Sequence, residues 1–268
     1  MKQVGRSLLP DILILVLVLG GLGYVTVSGA EAMNYQWQWY RIPPFFWRVV
    51  DGEGFPGPLL RGLLVTLQIA ALSAVITLAA GLLTALLRMS PSWAARGLAT
   101  VYLEIVRNTP ILVQIYIFYF VLAPIVGLGR FAVGVLSLSF FEATLAAEVI
   151  RGGLLAVPSS QREAARAVGL REHQVLRLVV LPQALPLMLP PLTGVLINLV
   201  KHSAIVSVIA IADLATEARN LISDTLMSFE IWLTVAAIYL SITLCLSAAA
   251  HWLEARLHRK SARISNPA

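Results

Sequence analysis

Residues 159–182 read SSQREAARAVGLREHQVLRLVVLP, a polar, arginine-rich stretch set between two apolar runs. Ser160 is placed to cap a short helix, with Glu163 three residues on to close a capping box. Gly169 supplies the left-handed turn that ends it. The result is a helix of about two turns, and helices below about 12 residues do not recover their nucleation cost alone. Contacts on its sides must hold it. Ala164, Ala165 and Val168 give it a small-residue face, while Arg162 and Arg166, one turn apart, repel each other unless anionic groups sit opposite. The stretch therefore predicts a docked partner with a groove.

Outward from this stretch the chain becomes apolar. Of its 268 residues 58% are hydrophobic and 13% charged, against roughly 45–50% and 25% in soluble domains. Such an inventory cannot cover a water-facing surface, so the bilayer is part of the solvent. Six apolar segments, 8–29, 63–87, 110–126, 131–149, 191–211 and 231–250, are read as membrane-spanning helices, giving an all-α integral membrane protein. The first follows Lys2 and Arg6 as a signal peptide would, but its apolar run of about 18 residues exceeds the 7–15 of a signal core, so a retained anchor is expected.

Threading the segments alternately puts Lys2, Arg6, Arg88, Arg96, Arg107, Arg151, Arg162, Arg166, Arg171, Arg177, Arg256, Arg259, Lys260 and Arg263 on one side. Only Arg41, Arg48, Arg61, Arg130 and Arg219 fall on the other. By the positive-inside rule both termini are cytoplasmic. The same rule accounts for the net charge of +6 without nucleic acid. Between the first two segments, residues 34–47 (NYQWQWYRIPPFFW) form an aromatic interfacial segment on the outer face. Cys245 stands alone, so no disulfide framework exists.

Ionisable groups within or beside spans are costly and tend to face cavities or partners. Glu104, Arg107, Glu142, Glu148, Lys201, His202 and Asp213 are the candidates. Glu148 and Arg151, three apart, suggest a local ion pair, and Arg107 a cytoplasmic anchor. Glu142 is a candidate for the translocation cavity. Lys201 shares a face with Asn198 one turn earlier, and is either pore-facing or paired with a carboxylate on a neighbouring helix. His202 is adjacent and so points elsewhere, and nothing at ligand spacing suggests a metal. Pro182, Pro186, Pro190 and Pro191 predict a break or kink where the chain re-enters the membrane.

No GxxxxGK[ST] phosphate loop, HExxH or GxSxG motif is present, which removes the familiar catalytic readings. What remains is a match of spacing. Glu163-Ala164-Ala165, three residues, Gly169, nine residues, Val179, one residue and Leu181-Pro182 resemble the EAA loop of ABC importer permeases, with Val179 standing for isoleucine. Arg107-Asn108-Thr109-Pro110, Glu148 with Arg151-Gly152-Gly153, Leu181-Pro182-Gln183-Ala184 and Lys201 with the following SAIVSVIAIADL resemble the polar amino acid branch, which carries histidine, glutamine, arginine or glutamate.

The resemblance implies a type I ABC importer transmembrane domain with five core helices plus one extra N-terminal transmembrane helix. It divides the chain into an anchor and periplasmic interfacial segment at 1–58 and a permease domain at 59–260, with the coupling loop at 151–182. It further implies a bacterial inner-membrane subunit that is not itself an enzyme. ATP and Mg would be bound by a partner ATP-binding cassette dimer, whose hydrolysis drives alternating access. A second permease subunit and a periplasmic amino acid-binding protein complete the expected assembly. Arg162, Glu163, Ala164, Ala165, Arg166, Gly169 and Leu170 would couple to the ATPase, with Glu142, Asn198 and Lys201 along the substrate pathway. The competing reading is an ion-gradient-driven secondary transporter of small polar solutes, which would call for inverted repeats and matched broken helices.

Overall fold

Hydrocarbon offers no water to unpaired N–H and C=O groups, so a chain of this composition has to close its backbone bonds within each segment. The computed structural model describes residues 8–265, and these are overwhelmingly helical. Lys2 and Arg6 lie outside the described residues.

The chain divides into two compact units, 1–42 and 43–268. In the first, α1 (Leu8–Ala32) is a 25-residue helix whose stretch Ile12–Gly29 has a mean hydropathy of 2.2. After it, Tyr35, Trp37 and Trp39 pack in series, Trp37 stacking on Trp39 at 5.9 Å between ring centroids. A single 3-10 turn, Trp39–Arg41, follows.

The second unit opens with α2 (Pro43–Phe46) and a two-stranded antiparallel hairpin, β1 (Trp47–Val50) and β2 (Glu53–Pro56). The hairpin is absent from the sequence reading. Asp51 and Gly52 make its turn with φ of 53° and 82°, and two left-handed central residues are what a tight hairpin requires. Beyond it run α3 (Pro58–Met89), α4 (Trp93–Arg107) and α5 (Ile111–Tyr116). A π-helical stretch, Ile117–Leu122, joins α5 to α6 (Ala123–Val126). Then come α7 (Arg130–Ala156), α8 (Ser159–Ala167), α9 (Glu172–Gln174) and a second π-helical stretch, Val175–Val180. The chain ends with α10 (Leu181–His202), a 3-10 segment Ser203–Ile209, α11 (Leu214–Thr225) and α12 (Ser228–Ser265).

Among the described residues five helical runs are long and apolar enough to cross a membrane; α4 with α5–α6, bent by 106°, makes a sixth if the pair counts as one. The expected segment 110–126 is thus only the second arm of that pair. At the proline-rich re-entry, the break that was one of the two expected outcomes is absent. No break occurs at Pro190 and Pro191; helix begins at Leu181 and runs through Pro186, Pro190 and Pro191, continuous with the π-helical turns before it. Irregular turns of this kind absorb what proline disrupts.

α3 and α7 form the central pair, and they approach closely because their facing residues are small. Ser139 Oγ donates to the Val135 carbonyl at 2.6 Å and Ser73 Oγ to the same carbonyl at 3.2 Å. Gly81 sits directly against Ala143, Ala146 and Ala147, the small-residue packing that membrane helices use in place of hydrophobic drive. Apolar side chains gather in two clusters. One, at the end of the bundle that carries α8, includes Ala85, Leu103, Leu154, Ala165, Val175 and Met188. The other, towards α11, includes Ile69, Ile115, Val133, Leu138, Leu199 and Val206.

Candidate functional site

The helix α8 starts earlier than the sequence suggests. Pro158 stands at its N-cap without a side-chain cap bond, and Ser160 lies inside the helix, so the expected capping box with Glu163 does not form. Proline's fixed φ sets the first turn instead. The other end is as read: Gly169 has φ +85°, Gly169 N–H donates to Arg166 O at 2.9 Å, and Leu170 N–H donates to Ala165 O at 3.2 Å. This paired bonding is the Schellman stop.

The side chains of α8 split into those that brace it and those that are free. Arg162 donates through Nη2 to the Leu154 carbonyl near the end of α7, where a cation meets the negative end of a helix. Arg166 forms a two-point ion pair with Glu172, Nε to Oε1 at 2.6 Å and Nη2 to Oε2 at 3.1 Å. For Arg166 the anionic group expected opposite comes from the chain itself, and Arg162 is met by a backbone carbonyl. Ala165 is buried against the apolar cluster at this end and Leu170 packs on it. The small face is thus divided: Ala165 belongs to the protein's own core, while Glu163, Ala164, Ala167 and Val168 stay exposed, Val168 at 78%. A cavity of about 90 Å³ separates α8 from the end of α3, lined by Met89, Leu154, Arg162 and Val175.

About 9 Å further along α7, by helix rise from Leu154, lies Glu148. The local pair with Arg151, at 3.0 Å, is present and is joined by Arg88 from α3 and by Arg107 from α4 at 3.8 Å. Three helices are pinned to one carboxylate.

Another turn and a half on, Glu142 is completely buried. Its Oε1 lies 2.5 Å from His202 Nδ1 on α10, and its Oε2 has no partner among the described residues. His202 thus points away from Lys201, as its adjacent position implies, and it is His202 that reaches a carboxylate on a neighbouring helix. His202 faces α7, also meeting Phe141 edge-on, and Lys201 is the one turned outward, exposed and without an ion pair among the described residues. Of the two alternatives for Lys201, the carboxylate partner on a neighbouring helix is not found among the described residues. Asn198 is half-buried one turn before it. The structure thus joins Glu142 to His202, and separates both from the α8 group by about 18 Å of helix. Local spacing could not reveal a contact between residues 60 positions apart.

Towards α11, Asp213 caps the helix through Oδ1 to Thr216 N–H at 2.9 Å, and Thr66 Oγ1 of α3 accepts from Leu214 N–H at 3.1 Å. Burial pushes the Asp213 carboxyl above the ordinary carboxylate range, and Glu217 likewise. The described residues hold no cluster of three or more metal-ligating side chains.

These features have counterparts in known proteins. A Bacillus subtilis (strain 168) protein named probable glutamine ABC transporter permease protein GlnM is 37% identical over 194 residues, 70% of this chain and 89% of its own length. The L-cystine transport system permease protein TcyB of the same organism is 33% identical over 227 residues, 84% of this chain and 93% of its own. Among solved structures, one described as the crystal structure of an amino acid ABC transporter with histidines superposes with a TM-score of 0.69 at 37% identity, covering 74% of this chain and 94% of that one. Residues 77–259, from the middle of α3 into α12, match the family described as binding-protein-dependent transport system inner membrane component. That match takes in α7, α8 and α10, and the chain belongs to this family of inner-membrane ABC transporter permeases.

Proposed function

We propose that the chain is the membrane-spanning subunit of an ABC importer for polar amino acids, with α8 as its coupling helix and both termini on the cytoplasmic side. The observation that carries this reading is the division of α8. A nine-residue helix is fastened to its own chain on one side by Arg162, Ala165 and Arg166, and leaves Glu163, Ala164, Ala167 and Val168 bare on the other. Such a helix is rigid enough to be pushed and open enough to be gripped. The names of its relatives, for glutamine and L-cystine, support a polar amino acid as cargo.

In this mechanism ATP, with Mg, is bound and hydrolysed by two partner cassette subunits, and their closure draws the coupling helices of two permease subunits together. Displacement of α8 passes into α7 through the Arg162 bond to Leu154, and into the approach to α10 through Arg166 and Glu172. α7 and α10 meet again at Glu142 and His202, so that contact is where the motion reaches the membrane interior. Glu142, Asn198 and Lys201, now with His202, are proposed to border the substrate pathway. Substrate arrives from an external binding protein.

The test is reconstitution of the chain with its ATPase and binding protein in vesicles. ATP inside should drive amino acid uptake, and Glu163→Arg should abolish substrate-stimulated hydrolysis while membrane insertion is unchanged. Uptake driven by an ion gradient without ATP would overturn the reading.

A further inference from the structure

The hairpin β1–β2 stands on a fixed base and is left uncovered. At the base, Gly57 N–H donates to Phe46 O at 2.8 Å, and a side chain on Gly57 would run into the Phe45 backbone. Beyond it, every described side chain from Trp47 to Pro56 is exposed. Residues paired across two strands share a face, so Trp47 and Val49 lie on one face, 54% and 69% exposed, and Arg48 and Phe55 on the other, with Phe55 at 48%. The Trp47 ring fills the place where Gly54 has no side chain. At the tip, Asp51 and Glu53 enter no ion pair among the described residues. A two-stranded hairpin is marginal in water unless an apolar face packs on something. This one has apolar residues on both faces and packs neither, so an outside surface has to receive it.

The position of the hairpin says which surface that is. α3 leaves it at Pro58 and ends at Met89, which lines the cavity beside α8. The 32 residues of α3 span about 48 Å, more than the ~30 Å hydrocarbon core. The hairpin therefore stands on the membrane face opposite α8. With α8 turned to the ATPase, that is the face at which cargo is delivered. The hairpin also precedes residues 77–259, the stretch that matches the family, so it is an addition to what that match covers.

We infer that the hairpin is a docking element for the soluble binding protein of this binding-protein-dependent system, which receives it with a basic rim around an apolar cleft. The inference rests on the importer reading, which supplies the partner. Trp47, Arg48 and Phe55 are of the residue types enriched in protein interfaces, and the unpaired Asp51 and Glu53 set the complementary charge at the rim. The membrane surface is the poorer occupant. A hairpin lying on it would bury one face only, and two unpaired carboxylates keep the tip in water. A second copy of this chain is poorer too, because a two-fold contact would set the acidic tips against each other.

The test uses the full-length chain reconstituted in vesicles with its ATPase subunits, and the cargo-loaded binding protein that supports ATP-driven uptake with it. Phe55→Ser should weaken binding of that protein about tenfold, the effect of losing an interface anchor. Asp51→Asn combined with Glu53→Gln keeps the left-handed turn, which asparagine accepts, and should slow association and flatten its salt dependence. In both, excess binding protein should restore the wild-type uptake rate, which damage to the bundle would not allow. In a Cys245→Ser background, an environment-sensitive dye on Val49→Cys should shift to the blue only when the binding protein is added. Wild-type affinity and association rate in both sets of variants, a dye already buried in lipid without the binding protein, or ready disulfide cross-linking of two copies through Val49→Cys would each overturn this assignment alone. Uptake that needs no binding protein would overturn the importer reading, and the assignment with it.

Discussion

Two short helices stand at opposite ends of the bundle, and they are held in opposite ways. α11 buries Leu214, Ala215, Ala218 and Leu221, is capped by Asp213, and lies so close to α3 that Gly62 touches the Asp213 carbonyl region and the Leu214 backbone. α8 buries only Ala165. α11 is a part of the bundle; α8 is tied to it at a few points and shows its remaining surface to something else. Helices too short to stand alone must bury a face somewhere, and what α8 lacks inside the chain is the measure of what its partner has to supply.

The strongest way to break this contrast is Gly62→Leu. A side chain there would be driven into the Asp213 and Leu214 backbone as well as the Glu217 side chain, and overpacking costs about 1–3 kcal/mol or more. A lowered melting temperature of the detergent-solubilised protein is expected, and an unchanged one would mean that α11 is not fixed to α3. Next comes Ala165→Leu, which crowds the buried side of α8 and should cost stability in the same ~1–3 kcal/mol range. Gly169→Ala should follow at about 1–2 kcal/mol, from forcing a Cβ into the left-handed region, since no neighbouring atom obstructs it. Its larger consequence is expected in substrate-stimulated ATP hydrolysis, which depends on how the helix ends.

The pH dependence sharpens the α11 side. Burial raises the folded-state pKa of Asp213 above its unfolded value near 3.9. The folded state therefore binds the proton more tightly, and stability falls as pH rises through the interval between the two values. Asp213→Asn keeps a good helix cap without a buried charge. It should raise the melting temperature at neutral pH and flatten its decline, leaving the part due to Glu217. Ala164→Leu should have the smallest effect on stability, within about 0.5 kcal/mol for an exposed site, while reducing substrate-stimulated hydrolysis. Intact stimulation in that variant would remove α8 as the gripped element.

Much of this was legible along the chain. Apolar length gave the spans, since a helix of about 20 residues is the local solution to a bilayer, and Gly169 announced its own turn because few other residues accept φ near +85°. Ser160 misled, because a proline two positions earlier sets the helix start as well as a hydroxyl can. The hairpin at Asp51-Gly52 was passed over because four-residue strands carry little periodicity.

The amino-acid sequence by itself determined that the chain lives in a membrane, which stretches are apolar enough to span it and that a short polar helix interrupts them. Only the tertiary structure decided which face of that helix is free, that His202 and not Lys201 meets Glu142, and that three arginines share Glu148. Those outcomes depend on how helices rotate and approach one another. Small residues such as Gly81 and Ser73 set that approach across the α3 and α7 contact, between positions some 60 residues apart, which no local spacing encodes.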